Sequence, residues 1–324
     1  MIWWLLTGLA CWLPQEPTPV KVGLLAEAHA LAEQARAPLA KELLAAVASL
    51  PEPTARQIYR DPETRAYLRQ SDAEALDEAE LARLEPVRLT AERFYTTRYG
   101  SPLAYLRPME LAGQAGLESF EGKRILDFGY GTIAHLRLMA LQGADVVGVD
   151  VDTFLTALYL PEDRGKDWAK DVSGSVTLLE GRWPGEAIRK EAGGDFDLFL
   201  SKNTLKRGYV HPEREANPNQ LIDLGTSDEE FVSAVYESLK PGGLFVIYNL
   251  CPPQNPEGEP FIPWADGRCP FERELLEKTG FEVIRFNEVD DAAARTQGRA
   301  LGWETADRPL DETLFAWVTI ARKK

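Results

Sequence analysis

Short apolar runs alternate with amphipathic helical patterns over the last two thirds of the chain. Runs bounded by glycine, proline or charged residues predict strands at residues 124–128, 145–149, 175–179, 196–201, 244–249, 281–289 and 313–322. Helical spacing of apolar residues predicts helices at residues 134–141, 151–160, 228–239 and 271–279. This alternation predicts an α/β fold, and the last two strands are expected to run antiparallel to each other.

The first 90 residues have a different pattern. Residues 1–19 combine an apolar run, Ile2–Leu13, with a spacer that contains prolines. Residues 20–90 predict a helical extension in front of the α/β domain, which occupies residues 91–324. Its predicted parts are one or two helices over Lys21–Leu50 with a break at Pro38, a polar helix over Thr54–Gln70, and a helix opened by the capping box Ser71-x-x-Glu74.

The apolar run Ile2–Leu13 is too short to span a bilayer, because a helix rises about 1.5 Å per residue and the hydrocarbon core is about 30 Å thick. Its composition and the small residues Ala10-Cys11 are typical of a signal peptide or a lipoprotein processing site, but no Lys or Arg precedes it. Two interpretations stay open. The run is an export signal, or it is an amphiphilic start that contacts a membrane through residues 2–13 while the protein stays in the cytoplasm.

The overall charge limits the kind of partner. The formal net charge is −15, with 51 acidic and 36 basic residues. Broad nucleic-acid binding is not expected, because surfaces that bind nucleic acid are basic and neutralise phosphates. Basic residues are nevertheless concentrated in one loop after the fourth domain strand, residues 202–214, which contains Lys202, Lys206, Arg207, His211 and Arg214.

A glycine turn, Gly129-Tyr130-Gly131, follows the first domain strand. Glycines permit a tight turn there and the close approach of a ligand to the helix N-terminus. Asp150 ends the next strand, 19 residues after Gly131 (150 − 131), and suits a carboxylate that binds ribose hydroxyls. Both a dinucleotide and S-adenosylmethionine fit this pattern. Asp127 favours S-adenosylmethionine, because a carboxylate facing the turn would repel a pyrophosphate and attract an amino group.

The residues Asp127, Gly129, Gly131 and Asp150, with the LKPGG turn at residues 239–243, resemble the motifs of the class I S-adenosylmethionine-dependent methyltransferases. The resemblance covers residues 91–324. It implies a Rossmann-like, seven-stranded sheet with helices on both faces, S-adenosylmethionine as cofactor and methyl transfer as the reaction. The third glycine of the family motif is replaced by Ile133. Because S-adenosylmethionine is made in the cytoplasm, the resemblance favours that location unless residues 1–13 are a signal peptide.

The resemblance also implies roles in the cofactor site. Asp150 would bind the ribose, and Asp127 would bind the methionine amino group, directly or through water. Gly129 and Gly131 would let the backbone approach the cofactor. The same site would include Val151 and Ser201.

Aromatic residues are expected at both ends of the cofactor. Tyr95 and Tyr99 would cover the methionine end, because an electron-rich ring is favourable near a sulfonium. The alternative is that these rings pack an entry helix. At the other end, either Glu180 or Trp183 would contact the adenine.

The resemblance places the acceptor beside the loop 202–214. Lys and Arg side chains there could hold a carboxylate or phosphate, so an anionic small-molecule acceptor is expected. The candidate catalytic residues are His211, Tyr209 and Lys202, with His211 or Tyr209 as a base, since histidine titrates near neutral pH. The alternative is a solvated loop whose bases pair with acidic neighbours.

Two other functions stay open. An NAD(P)-dependent oxidoreductase is disfavoured by Asp127, and a non-catalytic cofactor-binding scaffold would account for Ile133. No metal site is expected, because the three cysteines lack the clustered spacing of a zinc site. Cys251 and Cys269 would form a disulfide in an exported protein and would be free thiols in the cytoplasm. The sequence does not indicate an oligomeric state.

Overall fold

The computed structural model describes residues 18–98, 100–170 and 172–324. The predictions made for Ile2–Leu13 and for Tyr99 therefore lie outside the described residues. Within the described ranges, no helix has the length and apolar character needed to cross a bilayer.

Strands and helices alternate through most of the described chain. The strands are β1 Arg56–Arg60, β2 Tyr67–Arg69, β3 Glu85–Leu89, β4 Arg124–Phe128, β5 Asp145–Asp150, β6 Ser175–Glu180, β7 Phe196–Lys202, β8 Leu239–Cys251, β9 Phe281–Val289 and β10 Phe315–Lys323. The helices are α1 Pro19–Leu31, α2 Pro38–Ala45, α3 Gln70–Glu74, α4 Glu78–Leu81, α5 Ala91–Thr96, α6 Leu106–Gln114, α7 Ile133–Leu141, α8 Thr153–Leu158, α9 Glu186–Ala192, α10 Arg207–Val210, α11 Asp228–Ser238, α12 Arg273–Thr279, α13 Asp291–Ala300 and α14 Leu310–Thr313.

The seven strands β4 to β10 form one sheet in the order β6-β5-β4-β7-β8-β10-β9. Strands β4 to β8 are parallel to one another, whereas β10 runs antiparallel to both β8 and β9. All seven strands were predicted from the apolar runs, and the antiparallel last pair is confirmed. The strand order reverses direction between β4 and β7, which is the position where ligands bind in open α/β sheets.

Helices cover both faces of this sheet, as the family resemblance implied. Successive residues of a strand point to opposite faces. On β7, Leu198 and Leu200 belong to a buried apolar cluster with α6 and α7, whereas Phe199 belongs to a second cluster with α11 and α12. Every residue of β7 is buried, as expected for a parallel strand covered on both faces.

The N-terminal extension combines helices with a small three-stranded sheet. Helices α1 and α2 confirm the prediction for residues 21–50, with α2 beginning at Pro38. The predicted helix over Thr54–Gln70 is wrong, because β1 and β2 form an antiparallel hairpin there and β3 pairs with the other edge of β1. In β1 only Ile58 is fully buried, so the short polar strand carries no apolar alternation that would separate it from a polar helix.

The connection between β1 and β2 is a turn that begins at Asp61-Pro62. Asp61 Oδ1 accepts the backbone N–H groups of Glu63 and Thr64, which closes a turn. The capping box predicted at Ser71-x-x-Glu74 is also wrong: α3 begins at Gln70 with no side-chain cap. The capping box lies instead at the start of α4, between Asp77 and Glu80.

Candidate functional site

The glycine turn between β4 and α7 lies at the point where the strand order reverses. Gly129 has φ +77° and Gly131 has φ +59°, backbone conformations that favour glycine. A Cβ at Gly129 would lie 2.1 Å from Thr204 Oγ1, so Gly129 also permits the loop after β7 to pack directly on the turn. Both glycines that the sequence singled out are required by the local geometry.

One side of the turn opens into a cavity of about 210 Å³, here named the Asp150 cavity. Its walls come from the ends of β4 and β5 and from the loops after β6 and before α11. They consist of Phe128, Gly129, Val149, Asp150, Val151, Gly181, Arg182, Trp183, Thr204, Leu221, Ile222, Asp223 and Leu224. The cavity therefore lies where the sequence places an adenosine.

Asp150 is held in place by backbone groups. Its Oδ2 accepts the N–H of Gly131 at 3.3 Å, and its Oδ1 accepts the N–H of Asp152 at 3.0 Å. Burial raises the pKa of Asp150 to about 6, although the two backbone hydrogen bonds oppose that shift. A partly desolvated carboxylate with a fixed orientation is well suited to accept hydrogen bonds from ribose hydroxyls.

Of the other residues assigned to the cofactor site, some line the Asp150 cavity and others do not. Val151 is 62% exposed and lines the Asp150 cavity. Trp183 lines it as well, and its buried indole Nε1 has no hydrogen-bond partner among the described residues. Glu180, the alternative to Trp183, does not line this cavity. Ser201 is fully buried and its Oγ accepts the N–H of Leu205, so it lines neither cavity described here.

Asp127 lies beneath the turn and does not face it. Its carboxylate is fully buried, and Oδ2 lies 2.5 Å from Nε2 of His135 on α7. Burial lowers the pKa of His135, although Asp127 opposes that shift. Asp127 Oδ1 has no hydrogen-bond partner among the described residues. The expectation that this carboxylate faces a ligand is corrected, since Asp127 lines neither cavity and its contact is to His135.

The other side of the turn opens into a second cavity of about 280 Å³, here named the Lys202 cavity. It shares Gly129 and Thr204 with the Asp150 cavity. Its walls are Ser101, Tyr105, Gly129, Tyr130, Gly131, Thr132, Lys202, Asn203, Thr204, Lys206, Tyr209 and Trp264. Tyr209 and Lys202, two of the three predicted catalytic residues, are therefore brought together here.

Lys202 is the last residue of β7 and is 8% exposed. Its Nζ lies 5.1 Å from the centroid of the Tyr105 ring. Lys202 Nζ forms no hydrogen bond or ion pair with the described residues. Burial, with a smaller contribution from the charge of Lys206, lowers the pKa of Lys202 to about 8, and Asp127 opposes the shift.

The remaining bases of the loop 202–214 are engaged in structural contacts. Lys206 Nζ donates to the carbonyl oxygens of Leu250 and Trp264, and His211 pairs with Asp228 at 2.9 Å. Two further pairs tie the loop to its neighbours: Arg207 with Glu272, and Arg214 with the carbonyl oxygens of Asn255 and Pro256. Of the five bases expected to hold an anionic acceptor, four are thus held by neighbouring groups, and Lys202 is the one whose side chain has no such partner among the described residues. His211 is exposed and lines neither cavity.

Two aromatic residues that the sequence did not assign to the site, Tyr105 and Trp264, line the Lys202 cavity. Tyr105 stacks on His135 with ring centroids 3.5 Å apart, and Trp264 comes from the proline-rich segment after β8. The predicted lid residue Tyr95 is buried, and its hydroxyl donates to the carbonyl oxygen of Pro51. The alternative, aromatic packing of the entry helix, is what the structure has at Tyr95.

Two cysteines are described, and both are buried free thiols. Burial raises the pKa of Cys251 to about 11 and that of Cys269 to about 12. The disulfide expected for an exported protein is not formed. Among the described residues, no group of three or more His, Cys, Asp or Glu side chains is placed to hold a metal ion.

Comparison with known proteins finds similarity at the level of solved structures. The [4+2]-cyclase SpnF is 16% identical with a TM-score of 0.41, covering 67% of this chain and 80% of its own. Phosphoethanolamine N-methyltransferase 2 of Haemonchus contortus was solved with phosphomonomethylethanolamine and S-adenosylhomocysteine. It is 17% identical with a TM-score of 0.43, and the match covers 72% of this chain and 56% of that one. An S-adenosylmethionine-dependent methyltransferase of Mesorhizobium loti is 18% identical with a TM-score of 0.38, and the match covers 68% of this chain and 98% of that one.

These similarities are too distant to assign a cofactor or an acceptor. No family model matches the chain, and no curated protein matches it. The strand order carries the assignment of the fold: seven strands in the order β6-β5-β4-β7-β8-β10-β9, with β10 antiparallel to its neighbours. The chain has a Rossmann-like α/β fold, with the seven-stranded sheet and the helices on both faces that the resemblance implied.

Proposed function

We propose that the protein transfers a methyl group from S-adenosylmethionine to a small-molecule acceptor bound in the Lys202 cavity. The observation that carries the proposal is the position of Asp150. Its carboxylate, fixed by two backbone N–H groups, faces a cavity that adjoins the Lys202 cavity at the glycine turn. When bound, S-adenosylmethionine supplies an electrophilic methyl group on a sulfonium.

The described residues fit the adenosine half of that cofactor. Asp150 offers oxygen acceptors for ribose hydroxyls, Trp183 offers an unpaired indole donor and an apolar ring, and Val151 adds exposed apolar surface. Small-molecule sites usually enclose about 300–1,000 Å³, and each of the two cavities is below that range. Because they meet at Gly129 and Thr204, we assign them together to cofactor and acceptor.

The chain's own contribution to the reaction is to position and desolvate the acceptor. Methyl transfer is a displacement in which alignment of the reacting atoms accounts for much of the rate. Lys202 and Tyr105 are buried and line the cavity together with Tyr209, and polar interactions of buried groups are stronger than in solution.

The two alternative functions, a dinucleotide-dependent oxidoreductase and a non-catalytic scaffold, are each addressed by a different structural observation. Dinucleotide-dependent oxidoreductases of the Rossmann type have a sheet of six parallel strands in the order 3-2-1-4-5-6, whereas β10 is antiparallel here. A non-catalytic scaffold is favoured by one observation, which is that Thr204 packs closely against Gly129 at the point where the two cavities meet. Titration with candidate cofactors tests the oxidoreductase, and an assay of methyl transfer tests the scaffold.

Calorimetric titration with S-adenosylmethionine, S-adenosylhomocysteine and NAD tests the cofactor. Asp150→Ala should weaken S-adenosylmethionine about ten-fold or more, the loss expected for a charge-assisted hydrogen bond of about 1.5–3 kcal/mol. Glu180→Ala is the matched control, because Glu180 is exposed at the end of β6 and pairs in register with Asp150. Binding of NAD alone, or equal affinity in both variants, would contradict the proposal.

Turnover is tested with methyl-labelled S-adenosylmethionine and a metabolite extract. We expect the label to appear in a small molecule only when active protein is present. A protein that binds S-adenosylmethionine but transfers no label would be a cofactor-binding scaffold.

A further inference from the structure

We propose that the Lys202 cavity binds a small aromatic acceptor through an acidic hydroxyl group, and that Lys202 takes the hydroxyl proton and holds the resulting oxyanion. The inference rests on the proposed function for its place in catalysis. The binding and ionisation that it describes are properties of the cavity and can be measured without cofactor.

The walls of the cavity suit a planar ring. Tyr105, Tyr209 and Trp264 come from three separate segments of the chain and line one space of about 280 Å³. Tyr105 is fixed by stacking on His135, so its face is not free to collapse into the cavity. Aromatic side chains bind other rings by offset stacking and edge contacts.

The charge in the cavity suits an oxyanion. Two charged side chains line the cavity, Lys202 and Lys206. Lys206 donates to the carbonyl oxygens of Leu250 and Trp264, whereas Lys202 Nζ has no hydrogen bond or ion pair with the described residues. A buried ammonium without such a partner is unfavourable unless it meets an anion or loses its proton.

Proton transfer from the acceptor to Lys202 accounts for both favourable states of the lysine. Lys202 is a neutral amine before the transfer, and after it the ammonium faces an anion. The charged and titratable groups around Lys202 are Lys206, Asp127, His135 and the ring of Tyr105. Burial and Lys206 lower the pKa of Lys202 to about 8, so its neutral amine is accessible near neutral pH. The O–H bond of the acceptor breaks, its proton passes to Nζ of Lys202, and the new ammonium faces the new oxyanion.

The oxyanion is the stronger nucleophile. Its oxygen forms the C–O bond as the S–C bond of the methyl donor breaks, and Lys202 later releases the proton to water. No other described side chain of the cavity suits the role of base, because burial raises the pKa of Tyr209 and Lys206 is held by two carbonyl oxygens. His211, the base first considered, lies outside the cavity in an ion pair with Asp228.

The test uses 4-chlorophenol, whose phenol and phenolate forms absorb at different wavelengths. The wild-type protein, without cofactor, is titrated at about pH 8.5, where free 4-chlorophenol is mostly protonated while Lys202, with a pKa of about 8, is mostly the neutral amine. We expect the phenolate band to appear on binding. In Lys202→Met the band should be lost and affinity should fall about ten-fold or more. Lys278→Met, an exposed lysine on α12, is the control and should match wild type.

A second variant separates charge from proton transfer. Lys202→Arg keeps a cation that does not lose its proton, so its bound phenolate should form with release of the hydroxyl proton to the solution, whereas wild type keeps that proton on Lys202. The pH change of a weakly buffered solution on binding measures this difference. 4-Chloroanisole, which has no hydroxyl, should bind equally to wild type and to Lys202→Met. If wild type yields no phenolate band, or if Lys202→Met keeps the band, the inference is wrong.

Calorimetry with S-adenosylhomocysteine on the same variants distinguishes this inference from the proposed function. We expect Lys202→Met to keep its affinity. If that variant loses S-adenosylhomocysteine affinity while its phenolate band persists, Lys202 serves the cofactor and the inference is overturned. If wild type shows the band but does not bind S-adenosylhomocysteine, the acceptor site stands and the proposed function fails.

Discussion

At the scale of single residues, the burial of Asp150 places a carboxylate where it can bind a ligand, at a cost in the stability of the free protein above about pH 6. Burial raises its pKa to about 6, compared with 3.8 for an unperturbed carboxyl. Because the folded pKa lies above the unfolded one, Asp150 stabilises the free protein below pH 4, and that contribution is lost as pH rises through about 6. The ionised form, which accepts hydrogen bonds from a ribose, predominates only above that value.

The affinity for S-adenosylmethionine should therefore fall as pH decreases below about 6. We expect a loss of up to about ten-fold per pH unit, because protonation removes one acceptor and its charge. Calorimetry at pH 5, 6, 7 and 8 measures the effect. Asp150→Ala, which lacks the carboxyl group, should bind weakly with little change over this range. A wild-type affinity that is constant from pH 5 to 8 would show that Asp150 does not bind the cofactor.

Gly129 offers a second test at this scale. Gly129→Ala forces a left-handed residue and places a Cβ 2.1 Å from Thr204 Oγ1, so we expect a loss of about 2–4 kcal/mol in the free energy of unfolding. Gly122→Ala is the control, because Gly122 has φ +65° and open space around it and should show the conformational cost alone. Urea unfolding measures both, and equal losses in the two variants would contradict the close contact.

Some site residues could be predicted from sequence because their roles follow from spacing along one strand-turn-helix unit. Gly129, Gly131 and Asp150 belong to this class. His135 and Tyr105 could not, since their stacking joins a helix to a distant loop segment. Asp127 was found by its spacing, but its orientation depends on His135, which occupies an ordinary position in an apolar helical pattern.

At the scale of elements, the pair Asp127 and His135 joins β4 to α7 beneath the glycine turn. Both side chains are fully buried. Removing one member of a buried pair leaves an uncompensated polar group and costs about 3–5 kcal/mol, whereas replacing both members with apolar residues is often neutral. The pair therefore holds α7 against β4.

We predict that His135→Leu lowers the free energy of unfolding by about 3 kcal/mol or more and that the double variant Asp127→Val with His135→Leu recovers most of the loss. Urea unfolding of the two single variants and the double variant completes the cycle. Losses that simply add in the double variant would mean that the two side chains contribute independently.

The domain strands were predictable because they are buried on both faces and appear as continuous apolar runs. Strand β7, with every residue buried, is the clearest case. The hairpin β1–β2 was missed because only one face of this small sheet contacts the protein. Only Ile58 marks that face in β1, so the physical reason for the strand is a tertiary contact and not a local pattern.

At the scale of the whole molecule, the extension and the domain share one core. Leu39 and Leu43 of α2 belong to the same buried cluster as Leu136 of α7 and Leu198 of β7. The helices of the extension therefore cover apolar surface of α6 and α7 that would otherwise face water. An extension held in this way should not unfold separately from the domain.

A network of ion pairs also joins the extension to the domain. Asp163, in the segment after α8, lies 2.9 Å from Arg56 of β1 and 3.3 Å from Arg137 of α7. Asp163 and Arg137 are buried, and the Arg137 guanidinium lies over the rings of Phe94 and Trp168. One carboxylate thus joins the small sheet of the extension to a helix of the domain.

Asp163→Ala should destabilise the extension and the domain together. It leaves two guanidinium groups without their shared partner, and we expect a loss of about 3–5 kcal/mol in the free energy of unfolding. Hydrogen exchange measured by mass spectrometry should show the same loss of protection in peptides from α2 and from α7. Glu237→Ala is the control, because its pair with Arg189 is exposed and contributes about 1 kcal/mol or less. If peptides of α2 lose protection while those of α7 keep theirs, the extension is a separate folding unit. Equal losses would show that the cavity walls depend on the N-terminal helices for their stability.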